Sequence, residues 1–215
     1  MPAVPELPYV GDPEEAAFQR RYGPWLSWTP AQAAELLADW DRPWWVVGGR
    51  AIDAFTGTQR EHEDLDIGIM RAHVPHLQAY LGEEWHCWAV GSKNLRALVP
   101  EDAELPEWAD QCWLRRHAWS PWVMDVITNP DVDGSWVFRR DPQVVLPLEA
   151  VVWELDGTFY QQPQIVLAFK ALAHRDKDTG DLERAWPLMD ETQRTWLRST
   201  VARLHPGHSW LRLLD

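Results

Sequence analysis

Two carboxylates one residue apart, Asp64 and Asp66, lie in the stretch His62-Glu63-Asp64-Leu65-Asp66-Ile67-Gly68-Ile69. The alternation from Leu65 onward reads as a half-buried strand, and in a strand residues i and i+2 share a face. Two like charges so placed repel unless a cation or a hydrogen-bond network sits between them, and a divalent metal is the obvious candidate. Upstream, Gly48-Gly49 separates an apolar run from a short helical segment. Backbone N–H groups at such a junction can cradle phosphates, and glycine permits the close approach. Downstream, Asp125 stands alone in the apolar run Val123-Met124-Asp125-Val126-Ile127. Three carboxylates can hold two divalent cations about 3.5–4 Å apart, which activate an attacking oxygen and stabilise a leaving phosphate. Asp64, Asp66 and Asp125 are the candidate ligands. Alone, a glycine pair is usually a turn and an Asp-x-Asp usually a solvated strand edge, so the order of the features carries the signal.

The elements that must position these groups can be read around them. Residues 1–28 form an N-terminal arm, extended in its Pro-rich first part, with a short helix near Pro13–Arg21 ended by Gly23-Pro24. Thr29 as N-cap and Pro30 at the first turn open a helix to Trp40, and Trp44–Val47 is a buried strand. A short helix from Arg50 to Phe55, a polar loop, an Asp64–Met70 strand, a Val74–Leu81 helix and a Trp85–Val90 strand follow. Gly91–Asp110 is expected to be irregular and acidic. Strands at Trp113–Trp119 and Trp122–Thr128 precede a turn at residues 129–134. From Leu146 the pattern turns helical, at 163–173, 178–189, 191–204 and beyond Ser209. His205-Pro206-Gly207-His208 lacks a third metal ligand and reads as a turn between helices. The expected division is residues 29–150 for the catalytic unit and 151–215 for a helical unit packed on it.

The chain has 215 residues and is 46% hydrophobic, enough for a sizeable core, with 16 Trp. Its 33 acidic against 20 basic residues give a formal net charge of -13. That balance opposes a nucleic-acid partner over most of the surface and favours cationic small molecules, while leaving room for a local basic groove. No apolar run is long enough to span a bilayer and the N-terminus lacks the features of a secretion signal, so a cytoplasmic protein is expected. Cys87 and Cys112 form neither a disulfide framework nor a zinc pair.

The order glycine pair, short helix, Asp-x-Asp resembles the nucleotidyltransferase superfamily of polymerase-β type. Trp45-Val46-Val47-Gly48-Gly49-Arg50-Ala51-Ile52-Asp53-Ala54, followed by Gly57-Thr58-Gln59-Arg60-Glu61-His62-Glu63-Asp64-Leu65-Asp66-Ile67, is similar to the aminoglycoside 2''-adenylyltransferase and lincosamide nucleotidyltransferase group. Pro163-Gln164-Ile165-Val166-Leu167-Ala168-Phe169-Lys170 and Lys177-Asp178-Thr179-Gly180-Asp181 resemble that group's later Pro-Glu-apolar-Lys helix and Lys-Asp-x-x-Asp element. Gln164 departs from its usual Glu, and Arg50 stands where Trp is common. Roughly half the chain has a counterpart; the arm and residues 91–120 do not.

The resemblance implies an α+β fold: a polymerase-β-like core with a short mixed sheet flanked by helices, then a C-terminal helical bundle. It implies transfer of a nucleoside monophosphate, AMP from ATP, to a hydroxyl of a small aminoglycoside- or lincosamide-like molecule, with two magnesium ions and release of pyrophosphate. Asp64, Asp66 and Asp125 would be catalytic and metal-binding. Gly48, Gly49, Arg60, Lys170 and Lys177 would bind the nucleotide, where cations complement charge that metals leave uncovered. His62 either orients a carboxylate, touches a phosphate or fixes the loop. Asp102, Glu104, Glu107 and Trp108 are candidates for an acceptor wall, against the plainer reading of a solvated loop. The oligomeric state is expected to be monomer or homodimer. Modification of tRNA or a protein, and a nucleotide-binding module without catalysis, are the competing readings.

Overall fold

A computed structural model describes residues 13–173 and 175–214, so the extended part of the arm lies outside the described residues. The elements run α1 (Pro13–Tyr22), α2 (Pro30–Leu36), β1 (Trp44–Val46), α3 (Gly48–Thr56), β2 (Asp66–Met70), α4 (Val74–Leu81), β3 (His86–Gly91), β4 (Asn94–Ala97), β5 (Gln111–Arg115) and β6 (Met124–Asn129). They continue with β7 (Asp131–Val132), β8 (Ser135–Val137), β9 (Val145–Leu146), α5 (Leu148–Val151), β10 (Val152–Leu155), β11 (Thr158–Gln161), α6 (Pro163–Lys170), α7 (Asp176–Ala185) and α8 (Glu191–Leu204). A mixed sheet in the order β10-β11-β1-β2-β6-β5-β3-β4 is the frame, and β7-β8-β9 make a small second sheet. Among the described residues no helix is long and apolar enough to cross a membrane.

Local chemistry sets the boundaries. Thr29 and Gln32 form a reciprocal capping box at the start of α2, satisfying two of its free amides. The αL residue Gly57 closes α3, and Gly23 at φ +97 lets the chain leave α1. Trp136 and Asn129 share a buried hydrogen bond of 2.9 Å, which ties the small sheet to β6. His208 accepts from the Trp210 amide at 3.0 Å and sits 2.9 Å from the Ala171 carbonyl, so the His-Pro-Gly-His segment is indeed a helix-linking turn.

Several expectations are corrected. The mixed sheet flanked by helices is as expected and has eight strands, while several element bounds differ. The strand expected to begin at Asp64 begins at Asp66. The acidic stretch 91–110 contains β4, which pairs with β3 across Ser92 and Lys93, both in the positive-φ region. β5 ends at Arg115 because the chain then turns, with the Ser120 amide bonding back to His117. The turn at 129–134 holds β7 and leads into β8. The start of the helical half contains a β-hairpin: β10 and β11 flank Asp156-Gly157, both at positive φ, as a two-residue hairpin turn requires. β11 then joins β1 in parallel, so this hairpin on the far side of residue 150 completes the main sheet.

Paired residues across the sheet share a face, and their register puts the site groups in one row. Val47 donates to the Asp66 carbonyl at 3.0 Å, Asp66 pairs with Asp125, Asp125 with Trp113, and Trp113 with Trp88. One row further along, Gly68 pairs with the fully buried Trp45. A Cβ on Gly68 would lie 2.4 Å from Trp45 Nε1 and 2.5 Å from Cε2, so the indole uses the space that a side chain would fill. Gly68→Ala is therefore expected to destabilise the protein by about 1–3 kcal/mol through overpacking. The fall in melting temperature would be about 2–4 °C per kcal/mol, and an unchanged melting temperature would contradict this packing.

Candidate active site

The glycine pair is glycine because functional groups press on its backbone. Gly48 has φ +65, and a Cβ there would lie 2.2 Å from Asp66 Oδ2. A Cβ on Gly49 would lie 2.8 Å from the His62 ring. The turn from β1 into α3 thus passes directly beside the first carboxylate of β2. Asp64 precedes the strand in the loop, and its carbonyl accepts from Arg50 Nε at 3.3 Å. Arg50 Nη2 also donates to Ser27 Oγ at 2.7 Å. Leu65, between the two acids, is fully buried and pins that loop to the core. Asp125 is buried in β6, with Oδ2 accepting from Gln111 Nε2 at 2.8 Å.

The three carboxylates perturb one another. Burial, then the charge of Asp64, raises Asp66 to about 7, against the opposing pull of Lys170, Lys177 and Arg50. Burial, then Asp66 and Asp64, pushes Asp125 well above the ordinary carboxylate range. Asp64 is raised by burial and by Glu63. Three acids that disfavour each other's charge are what a bound cation would relieve. Among the described residues no group of three or more Asp, Glu, His or Cys side chains forms a ready-made metal cage. The donor chemistry nonetheless fits a hard divalent cation, which takes carboxylate oxygens.

The cations expected at the phosphates are held by a second set of acids. Asp53, buried on α3, accepts from Arg60 N at 2.9 Å, Arg60 Nε at 2.8 Å and Thr58 Oγ1 at 3.4 Å, and lies 2.8 Å from His62 Nε2. His62 thus ties the loop before the Asp-x-Asp to α3 while its ring also lines the cleft. Burial alone would raise Asp53, but the His62 and Arg60 hydrogen bonds outweigh it and hold its pKa below the usual range. Arg60 Nη2 reaches Asp181 Oδ1 at 2.9 Å, and so pairs with neither of its neighbours Glu61 and Glu63. Lys170 Nζ bridges Asp178 Oδ1 at 3.1 Å and Asp181 Oδ2 at 2.9 Å, while Arg175 and Arg184 brace the same two acids. Lys177 is exposed and, among the described residues, has no ion-pair partner; its charge acts on Asp64 and Asp66.

Gly48, Gly49, Arg60, His62, Asp64, Asp66, Lys170 and Lys177 all line one cleft of about 520 Å³. Asp125 is not on its wall but is the cross-strand neighbour of Asp66. The acceptor candidates are elsewhere. Asp102 is paired with Arg96 at 2.9 Å and accepts from the Val99 amide, Glu104 and Glu107 are exposed, and Trp108 packs on the core. Arg71 folds their segment back by donating to the carbonyls of Leu105, Pro106 and Ala109, and none of the four lines the cleft. Sequence reasoning missed Asp53, Asp178 and Asp181 as structural members of the site, although all three lie inside the quoted motifs. It also missed Arg139 and Arg175, cleft residues outside any motif.

Residues 31–94 match the family model described as aminoglycoside-2''-adenylyltransferase. Comparison with curated proteins gives no match. Among solved structures, the chain is similar to ANT(2'')-Ia in complex with adenylyl-2''-tobramycin, with TM-score 0.52, 14% identity, and coverage of 81% of this chain and 97% of that one. It is also similar to the lincosamide antibiotic adenylyltransferase LnuA, lincomycin-bound, with TM-score 0.51, 17% identity, and coverage of 74% and 95%. The chain therefore has the mixed α+β nucleotidyltransferase fold and resembles these adenylyltransferases.

A carboxyl whose pKa is raised by folding holds its proton more tightly in the folded chain. Its contribution to stability is full below the unfolded value and is lost as pH rises through the folded one. For Asp66 that window runs from about 4 to about 7. Asp66→Asn is expected to flatten the fall in melting temperature over this window and to raise it above the parent's at high pH without metal. A parent-like pH profile in the variant would contradict the electrostatic account.

Proposed function

We propose that this protein is a magnesium-dependent nucleotidyltransferase that moves AMP from ATP to a hydroxyl of a small antibiotic-like molecule and releases pyrophosphate. One observation carries the reading: Asp66 and Asp125 are cross-strand neighbours with Asp64 alongside, and the Asp66 carboxylate abuts the glycine pair in a cleft lined by Arg60, Lys170 and Lys177. In the transfer the acceptor oxygen bonds to the α-phosphorus, the bond to the bridging oxygen of pyrophosphate breaks, and the hydroxyl proton leaves to a base.

Asp64, Asp66 and Asp125 would hold the metal, which when bound supplies charge neutralisation and positioning at the reacting phosphate. Asp125 has the raised proton affinity that suits a general base. Gly48 and Gly49 line the cleft at the start of α3, where backbone amides can meet the phosphates. Lys177 supplies uncommitted positive charge, while Arg60 and Lys170 are set in place by Asp53, Asp178 and Asp181. Phosphoryl transfer asks the protein mainly for position and electrostatics, and this is an arrangement of that kind. The similar structures are complexes with adenylyl-2''-tobramycin and with lincomycin, and a net charge of -13 favours a cationic acceptor over a nucleic acid. A cytoplasmic enzyme working as monomer or homodimer completes the proposal.

Incubation with ATP, magnesium and a panel of aminoglycosides and lincosamides is expected to give an adenylylated product by mass analysis. Asp64→Asn and Asp66→Asn should each lower turnover by about 10²–10³-fold or more, the scale of losing a principal electrostatic group. Transfer only to tRNA or protein would replace the acceptor class, and no transfer to any acceptor would overturn the reading.

A further inference from the structure

Gln161, the last residue of β11, lines the cleft and is only 3% exposed, yet its carboxamide has no hydrogen-bond partner among the described residues. The next residue is the opposite case. Gln162 donates to the Val152 carbonyl at 3.3 Å and accepts from Gln193 at 3.0 Å. Gln161 is not among the residues with a buried, unsatisfied polar atom, so the polar end of this otherwise buried side chain opens onto the cleft, where a ligand's polar edge can meet it.

Its position selects which part of the ligand. β11 pairs with β1 on the side away from β2, with Tyr160 opposite Val46. Gln161 therefore lies beside Val47, immediately before the glycine pair, and is separated from Asp66 and Asp125 by β1. That is the side of the phosphate cradle, and Asp125 and Trp113 are on the other. Along α6, Val166, Phe169 and Lys170 face the cleft at helical spacing. Lys170 enters the cation cluster, and one turn earlier Val166, with Phe169 between, gives an apolar surface in the same cleft as Gln161. A triphosphate at the lysine would thus have its nucleoside beside two apolar side chains and a free carboxamide.

We propose that Gln161 reads the nucleobase of the donor nucleotide, its carboxamide bonding the base edge while Val47, Val166 and Phe169 take the ring face. A carboxamide offers a donor and an acceptor side by side, the pair that an adenine edge complements. The inference rests on the nucleotidyltransferase reading and adds to it a residue that sets nucleotide preference.

The test is binding of ATP, GTP, CTP, UTP and 2'-deoxyATP, each with magnesium, to the full chain and to Gln161→Leu and Gln161→Glu. The parent is expected to prefer ATP, to bind 2'-deoxyATP equally well, and to lose about tenfold of that preference in Gln161→Leu, the lower range for one paired base contact. Gln161→Glu keeps the shape without the amide donor, should change the order of preference, and decides the matter if the leucine variant does not fold. Equal binding of all four bases by the parent, a preference unchanged in the variants, or a loss that follows the 2'-hydroxyl would each overturn the inference while leaving nucleotide binding intact. Failure of the parent to bind any triphosphate would overturn both.

Discussion

Asp64, Asp66 and Asp125 repel one another, and much of the surrounding structure accommodates that repulsion. Two of the three are fixed by strand register, so they cannot move apart without breaking the pairing of β2 with β6. Room beside them comes from glycines whose missing side chains leave space for the Asp66 carboxylate and the His62 ring. Positive charge comes from Arg50, Lys170 and Lys177, each of which lowers the proton affinity of Asp66 without restoring it to the ordinary range. What remains is a deficit of positive charge at one point of the cleft. A divalent cation would remove it.

The cations raise their own problem, since long basic side chains are flexible and a chain of net charge -13 offers them many partners. Asp53, Asp178 and Asp181 solve it from the inside. All three are buried, and between them they fix Arg60, Lys170, Arg175, Arg184 and His62. Because Asp53 is on α3 and the other two are on α7, the same contacts join the glycine-pair helix to the helical half. Removing one member would leave buried charge unpaired, which is strongly destabilising. The helical half is therefore part of the site.

The parts of the fold legible in the sequence were those whose signal is local. Thr29-Pro30 marked α2, the glycine pair marked the β1–α3 junction, and the spacing from Val74 to Leu81 marked α4 without error. The hairpin of β10 and β11 also had a local signal, Asp156-Gly157 between apolar residues, but the helical pattern after it hid the strand that returns to β1. Pairing between β11 and β1 spans more than a hundred residues, and periodicity carries no information about it. The same limit applies to side chains. Asp64, Asp66 and the glycines followed from residue type and order, whereas the partner of Arg60 is Asp181, brought near only by the packing of α7. The charge of the acidic stretch 101–110 allowed an acceptor wall beside the plainer reading of a solvated loop, and charge alone could not choose between them. Arg71 holds the backbone of this stretch through three carbonyl contacts, Asp102 and Arg96 pair, and at its end Asp110 pairs with the cleft residue Arg139.

The central claim is that the carboxylate trio and its cation frame make a site for a metal–triphosphate pair. Calorimetric titration of a non-hydrolysable ATP analogue into the protein, with and without magnesium, tests it most directly. The account predicts tight binding that requires magnesium and that Asp66→Asn abolishes. Binding of equal strength without magnesium, or unaltered by the substitution, would contradict it.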